Sequence, residues 1–247
     1  MILTDHVDHR PFPLPDAPWL MHQAWNDFLF MHWRVDPAVV RTLVPEPLEL
    51  HLHDGDCWVG IIPFHMSDVR PRGTLNVPGI SAFPELNVRT YVIVDGKPGV
   101  WFLSLDAHQR LAVETARATY DLPYYQARMS WERRGTTLHY ESERTDGRAP
   151  SARYTSHHTP RGEYRMARPG TLEHWLSERY CLFTVGKDGR VKQTDVHHIP
   201  WPLRDADVTI EENTMGAAHG LDLDGLRPDH VMYSPGVDVV VWSPRQV

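Results

Sequence analysis

The sequence predicts an α+β domain built on an antiparallel, closed or strongly bent sheet with a few helices packed against it. Four glycine-bearing turns separate runs rich in β-branched and aromatic residues, which is typical of β-hairpins. The 247 residues show no linker and no internal repeat with a period of about 20–50 residues. A domain of this length buries enough surface to fold without disulfides or a structural metal.

Prolines dominate the first part of the chain, at positions 11, 13, 15 and 18. We therefore expect residues 1–18 to form an extended arm and residues 19–247 to form a single domain. The predicted hairpins turn at Asp54-Gly55, Asp95-Gly96, Arg134-Gly135 and Gly186-Lys187-Asp188-Gly189.

Helix signals are fewer than strand signals. Asp36-Pro37 combines an N-cap residue with a proline suited to the first helical turn, which predicts a short helix. Asp106 is the expected cap of a second helix that continues to about residue 120. A third helix is predicted after Thr171, and a short fourth one after Asn213.

The charge balance excludes several classes of protein. There are 25 basic and 32 acidic residues, a formal net charge of -7, and no basic run that could follow a phosphate backbone. This argues against nucleic acid as a partner. No apolar run approaches the roughly 18 residues of a membrane helix, and no secretory signal is visible, so we expect a cytoplasmic protein without a membrane partner.

Motifs for metals and common cofactors are missing from the sequence. His51 and His53 would share one face of a strand, but no histidine or cysteine spacing is typical of a metal site. Two cysteines, Cys57 and Cys181, are too few for a tetrahedral thiolate site. The chain also lacks a serine elbow, a phosphate-binding loop and a dinucleotide-binding glycine motif. We expect neither a metal nor a cofactor.

The most informative stretch covers residues 83–92. As a strand it places Glu85, Asn87, Arg89 and Tyr91 on one face, and Leu86, Val88, Thr90 and Val92 on the other. The second face is typical of a core. The polar row either faces bulk water or lines a cavity inside a closed sheet, and the pattern alone favours the exposed position.

A series of longer sequence segments changes the choice between an exposed and an enclosed polar row. They include Phe30-Met31-His32-Trp33, Trp58-Val59-Gly60-Ile61-Ile62-Pro63-Phe64, Val69-Arg70-Pro71-Arg72-Gly73, Glu178-Arg179-Tyr180 and Pro200-Trp201-Pro202-Leu203. Over roughly residues 20–245 the chain resembles the YqjF-like family of uncharacterised bacterial proteins, which is similar to the acetoacetate decarboxylase superfamily. The resemblance implies a cone-like, closed antiparallel barrel whose interior is the pocket, with helices outside, and it makes a homo-oligomer plausible.

One segment departs from the decarboxylases. Those enzymes carry Gly-Arg-Glu-x-x-Gly-Phe-Pro-Lys-Lys, and residues 116–125 match it at Arg117 and Pro123, whereas Tyr124 and Tyr125 replace the two lysines. Decarboxylation by that route needs a lysine amine to form a Schiff base, which tyrosine cannot supply. Lys97, Lys187 and Lys192, the only lysines, lie in or near predicted turns, where side chains are normally solvated.

The resemblance and the residue chemistry together define a candidate site. The candidate catalytic residues are Glu85, Arg89 and Tyr124, and the candidate ligand-binding residues are Tyr91, Arg117, Tyr125, His65 and Arg70. An enclosed arginine suits a carboxylate, an enclosed glutamate suits acid–base work, and a tyrosine hydroxyl can donate to an oxyanion. A structural alternative is that Glu85 forms a buried ion pair with Arg89 or Arg117 and that the tyrosines are core rings.

Three functions remain open from the sequence. The first is a cofactor-free enzyme that acts on a small oxo or hydroxy acid by lyase-like acid–base chemistry, without a Schiff-base lysine. The second is a non-catalytic barrel that binds a small apolar or acidic ligand. The third is a structural or interaction protein whose barrel is filled by its own side chains. An enclosed, polar-lined cavity favours the first, and a mainly apolar cavity the second.

Overall fold

The structure, a computed structural model, describes residues 3–77 and 81–247. Within those residues there are three α-helices: α1 (Pro37–Arg41), α2 (Arg110–Tyr120) and α3 (Leu172–Ser177). The strands are β1 (Met21–Val35), β2 (Glu49–Leu50), β3 (Cys57–Pro71), β4 (Phe83–Val94), β5 (Lys97–Ala107), β6 (Tyr124–Arg134), β7 (Thr137–Arg144), β8 (Arg153–Met166), β9 (Cys181–Val185), β10 (Val191–His197), β11 (Pro202–Asn213), β12 (His230–Val241) and β13 (Arg245–Gln246).

All thirteen strands belong to one strongly bent sheet, in the order β13-β10-β9-β5-β6-β7-β8-β11-β12-β1-β3-β4-β2. Pairing of β5 with β4 closes a ring of nine strands, and β10 also pairs with β12. Most neighbours are antiparallel, but β5 runs parallel to both β6 and β9. The predicted fold class is confirmed, with these two parallel contacts as an addition.

Three of the four predicted hairpins form, because β4–β5, β6–β7 and β9–β10 pair across their glycine turns. The turn at Asp54-Gly55 exists, but only the bridge between His53 and Asp56 links its two sides. The predicted hairpin there is wrong. Prolines at positions 45 and 47 interrupt the preceding segment, and the two-residue β2 pairs with β4 instead.

Two of the three predicted helix caps form, and the third does not. Asp36 and Thr171 cap α1 and α3 as predicted. Asp106 does not cap α2, which begins four residues later with Gln109 as its N-cap. Asp106 instead ends up buried in β5, where Arg144 forms an ion pair with it at 2.8 Å, because a buried carboxylate needs a charged partner. The predicted fourth helix is a 3-10 turn, Ala217–His219.

Strand β4 has two buried faces. On the first, Leu86, Val88 and Val92 join a large apolar core with side chains of β6, β7 and β8; we call this the packed face. On the second, Phe83, Glu85, Asn87, Arg89 and Tyr91 lie beside a separate aromatic core that includes Phe28 and Trp201; we call this the cavity face. The alternation is the period-2 pattern of a strand buried on both sides.

The N-terminal arm is hydrogen bonded to the body of the domain. Arg10 donates to the Val196 carbonyl at 2.8 Å, and the ring of His9 hydrogen bonds to the His198 carbonyl at 2.8 Å. The Trp242 indole donates to the Ala17 carbonyl at 2.6 Å. These bonds tie residues of the arm to β10 and to the segments that follow β10 and β12.

Candidate active site

A cavity of about 350 Å³ lies between the cavity face of β4 and helix α2. Strands β1, β3, β5 and β10 supply most of the remaining walls, with single residues from β6, β9 and β12. Most of the lining is apolar, and its larger side chains include Phe28, Phe64, Phe83, Phe102 and Leu105. Its buried polar side chains are Glu85, Asn87, Arg89, Tyr120 and Thr194, and the half-buried Tyr124 also lines it. Glu85, Asn87 and Arg89 of the polar row therefore line a cavity. The prediction from the pattern alone, that this row faces bulk water, is wrong.

Glu85 is only 3% exposed, and the Tyr124 hydroxyl donates to its Oε2 at 2.8 Å. Burial raises the pKa of Glu85 to about 8, although the Tyr124 hydrogen bond lowers it; the charge of Asp106 adds to the increase. An acid with this pKa is protonated at neutral pH. Glu85 can therefore act as a proton donor inside an apolar enclosure.

Hydrogen bonds to their backbone carbonyls hold Glu85 and Tyr124 in place. The Tyr140 hydroxyl donates to the Glu85 carbonyl at 2.7 Å, and Arg117 Nη1 donates to the Tyr124 carbonyl at 2.7 Å. Burial, followed by the adjacent Glu85, raises the pKa of Tyr124 well above its ordinary value. Tyr124 thus stays a hydroxyl donor over the whole physiological range.

Arg89 is 6% exposed and lies among aromatic rings. Its guanidinium carbon is 5.8 Å from the centroid of Phe28, 5.6 Å from that of Phe30 and 5.6 Å from that of Tyr91. No carboxylate of the described residues pairs with it, and its Nε and Nη2 are buried without a hydrogen-bond partner. A buried, unpaired guanidinium is energetically costly, and an anionic ligand would satisfy it.

Three more polar atoms of cavity-lining residues are buried and have no hydrogen-bond partner. They are Asn87 Oδ1, the Tyr120 hydroxyl and Thr194 Oγ1. Thr194 was missed in the sequence because β10 carries no motif, and only the sheet order brings it opposite β4.

The other sequence-predicted residues are placed as follows. Arg70 lines the cavity and pairs with Asp68 at 3.1 Å.

The other four predicted ligand-binding residues do not line the cavity. His65 stacks on Trp131, on the opposite side of β3 from its cavity-lining neighbours, and Arg117 holds the Tyr124 backbone. Tyr91 hydrogen bonds to His32 and to the Leu176 carbonyl, and Tyr125 lies below the guanidinium groups of Arg117 and Arg144.

The lysines lie away from these groups. Lys192 pairs with Asp121 at 2.6 Å, Lys97 lies 5.5 Å from the centroid of Phe12, and Lys187 is exposed. None of the three lines the cavity in the part of the chain that the structure describes. The site therefore offers an acid, a phenol and a guanidinium, but no amine for a Schiff base.

Within residues 3–77 and 81–247, no group of three or more His, Cys, Asp or Glu residues is arranged to hold a metal ion. None of the helices in these ranges has the length and apolar character that crossing a membrane requires.

Comparison with known proteins places the chain in a family. Residues 22–238 match the model of DUF2071, described as an uncharacterized conserved protein. The chain belongs to this family. It is 39% identical to the protein YqjF of Bacillus subtilis (strain 168) over 244 residues, 99% of both chains.

The DUF2071 chain shares its fold with solved enzymes. It superposes on acetoacetate decarboxylase from Legionella pneumophila with a TM-score of 0.61 and 13% identity, covering 100% of this chain and 94% of that one. Against the enduracididine biosynthesis enzyme MppR complexed with pyruvate, the TM-score is 0.61 at 14% identity, covering 96% and 93%. At such low identity these likenesses show the fold alone.

Proposed function

We propose that this chain is a cofactor-free enzyme that acts on a small oxo or hydroxy acid by lyase-like acid–base chemistry. One observation carries the proposal: a buried guanidinium without a counter-ion and a buried carboxyl that is protonated at neutral pH line the same cavity. Each group is costly to keep in an apolar enclosure unless a ligand uses it.

In this proposal Arg89 binds the carboxylate of the substrate through its planar set of donors. The protonated Glu85 donates its proton to the carbonyl or hydroxyl oxygen of the substrate. The Glu85 carboxylate that results accepts the proton lost from the adjacent carbon, so that an enol forms or water leaves and Glu85 is protonated again. General acid catalysis of this kind contributes about 10²–10⁴-fold in rate. The Tyr124 hydroxyl orients the Glu85 carboxyl and stabilises its anion after proton transfer.

The fold neighbours are consistent with such a ligand. MppR has been solved with pyruvate and with the condensation product of pyruvate and imidazole 4-carboxaldehyde, so this fold accommodates a small oxo acid in that enzyme. In this chain we propose that Arg89 and Glu85, which both line the cavity, bind a ligand of the same chemical class.

A non-catalytic small-molecule-binding protein is the second candidate. The predominance of apolar side chains in the lining favours it, since binding pockets are mostly apolar with a few polar groups. Ligand binding without any conversion of the ligand distinguishes this candidate from the enzyme.

A thermal-shift screen of organic acids tests the proposal, because a ligand that binds only the native state raises the melting temperature. We expect a carboxylic acid to stabilise the wild type, and NMR of the mixture to show its conversion. Arg89→Met should weaken binding by about 30-fold or more, and Glu85→Gln should abolish conversion. An acid that binds the Arg89→Met variant as tightly as the wild type would refute the proposed anchor.

Borohydride trapping tests the absence of Schiff-base chemistry. Because no lysine lines the cavity, we expect incubation with pyruvate or acetoacetate and borohydride to leave the intact mass unchanged. A mass increase that maps to Lys97, Lys187 or Lys192 would contradict this prediction. An acetoacetate decarboxylase treated in parallel is the positive control.

A further inference from the structure

The Glu85 carboxyl and the Arg89 guanidinium belong to different positions along β4. Glu85 and Arg89 are four residues apart on one face of β4, so their Cα atoms are separated by about 13 Å at the usual strand rise. Pairing with β3 is uninterrupted between them, from Phe64 opposite Glu85 to Gly60 opposite Arg89. No bulge on that side brings the two residues closer.

Their side chains also have different surroundings. The Glu85 carboxyl is bonded to Tyr124, at the start of β6. The Arg89 guanidinium lies among the rings of Phe28, Phe30 and Tyr91. No ion pair joins the two groups among the described residues, although both are buried in one cavity, where such a pair would be strongly favoured at short range.

Between the two groups β4 contributes the polar Asn87, whereas the adjoining β5 wall is apolar. On β5, Leu105 is opposite Asn87 and Phe102 is opposite Arg89, and both line the cavity. The volume of about 350 Å³ lies within the range of about 300–1,000 Å³ of ligand pockets for drug-sized molecules. It exceeds the needs of a three- or four-carbon acid.

We infer that the ligand is an elongated, amphipathic monocarboxylic acid whose carbonyl or hydroxyl oxygen lies on the order of 10 Å from its carboxylate, with an apolar chain between them. The carboxylate binds Arg89, the chain lies along Phe102 and Leu105, and the distal oxygen accepts a hydrogen bond from Glu85. The inference rests on the proposed function and specifies its substrate class. In a short 2-oxo or 3-oxo acid the two groups are too close to contact both residues.

A series of methyl-ketone acids tests this spacing: pyruvate, levulinate, 6-oxoheptanoate and 8-oxononanoate, with nonanoate as the acid without a ketone. We expect the dissociation constant, measured by calorimetry, to fall at least tenfold from pyruvate to 8-oxononanoate. Nonanoate should bind about two- to tenfold more weakly than 8-oxononanoate, because it lacks the acceptor for Glu85.

Variants of Glu85 and Arg89 test which residue binds the ketone oxygen and which binds the carboxylate. Glu85→Leu should remove the preference for 8-oxononanoate over nonanoate, whereas Arg89→Met should weaken both. Arg89→Lys retains the charge if the methionine variant fails to fold. Glu178→Gln is the matched control, because Glu178 also accepts a tyrosine hydrogen bond, from Tyr180, but does not line the cavity. It should leave the preference intact.

Three other results would overturn the spacing between the two groups, and one of them would also overturn the proposed function. If pyruvate binds as tightly as 8-oxononanoate and depends on both Arg89 and Glu85, the spacing is wrong but the proposed function stands. Equal affinities of the wild type for nonanoate and 8-oxononanoate also overturn the spacing, since Glu85 then contributes nothing. If no acid of the series binds, both the inference and the proposed function fail.

Discussion

The two faces of β4 are equally buried but differ in how their groups are satisfied. Leu86 and Val88 on the packed face meet apolar neighbours and leave no polar atom without a partner. Glu85, Asn87 and Arg89 on the cavity face are also almost inaccessible, yet they border a hollow and include unpaired donors and acceptors. Burial alone therefore does not separate core from site; on β4 it is the cavity face that carries the buried polar atoms without partners.

Two buried arginines show the same contrast. Arg144, on the packed side, forms an ion pair with Asp106 and donates to Ser104, which is the pattern of a structural ion pair. Arg89, on the cavity side, lies beside aromatic faces and has no carboxylate partner among the described residues. A buried charge without a partner is more costly than a paired one, and Arg89 combines this cost with a position in the cavity wall, where an anionic ligand can reach it.

The largest expected effect is a pH-dependent stability difference at Glu85. Burial raises the pKa of this group in the folded state from its ordinary value of 4.5 to about 8. Below about pH 4.5 both states are protonated, so Glu85 adds no penalty. Between those values the unfolded chain releases the proton and the folded chain retains it, so stability falls as pH rises.

Glu85→Gln removes this titration. We expect the variant to match the wild type near pH 4 and to be more stable above pH 8, by at most about 5 kcal/mol. Urea unfolding at several pH values measures the difference. A wild-type stability that does not fall relative to the variant between pH 4.5 and 8 would show that the carboxyl is ionised in the folded state.

Adjacent truncations on the two faces test the comparison directly. Leu86→Ala leaves a hole in the packed core and should cost about 2–5 kcal/mol of unfolding free energy. Asn87→Ala removes a buried, unpaired amide oxygen beside an existing cavity, so it should change stability by less than about 1 kcal/mol. Denaturant unfolding at pH 7 measures both. Equal losses would mean that the cavity face is packed as tightly as the other.

The smallest expected effect concerns Tyr124. Tyr124→Phe removes the hydroxyl that lowers the pKa of Glu85, so the pKa of that carboxyl should rise further, and the lost bond should cost about 1 kcal/mol. NMR titration of the Glu85 carboxyl carbon measures the shift. Tyr140→Phe is the control, because its hydroxyl donates to the Glu85 backbone and not to the carboxyl. A fall in the pKa of Glu85 on Tyr124→Phe would contradict the assigned hydrogen bond.

Local signals predicted much of the fold. The turns at Asp95-Gly96 and Arg134-Gly135, the caps Asp36 and Thr171, and the two alternating sets of β4 depend on a few neighbouring residues and are confirmed. The cap at Asp106 failed because Arg144, 38 positions away, determines its environment. No short-range pattern contains that information.

The sequence by itself determined the turn positions, which residues of β4 share a face, and the replacement of two lysines by Tyr124 and Tyr125. These features follow from backbone geometry and residue identity within short segments. Only the tertiary structure decided that the polar face is enclosed, that Glu85 retains its proton and that Arg89 has no counter-ion. Solvent exclusion and charge pairing depend on segments distant in the chain, which meet only when the sheet closes.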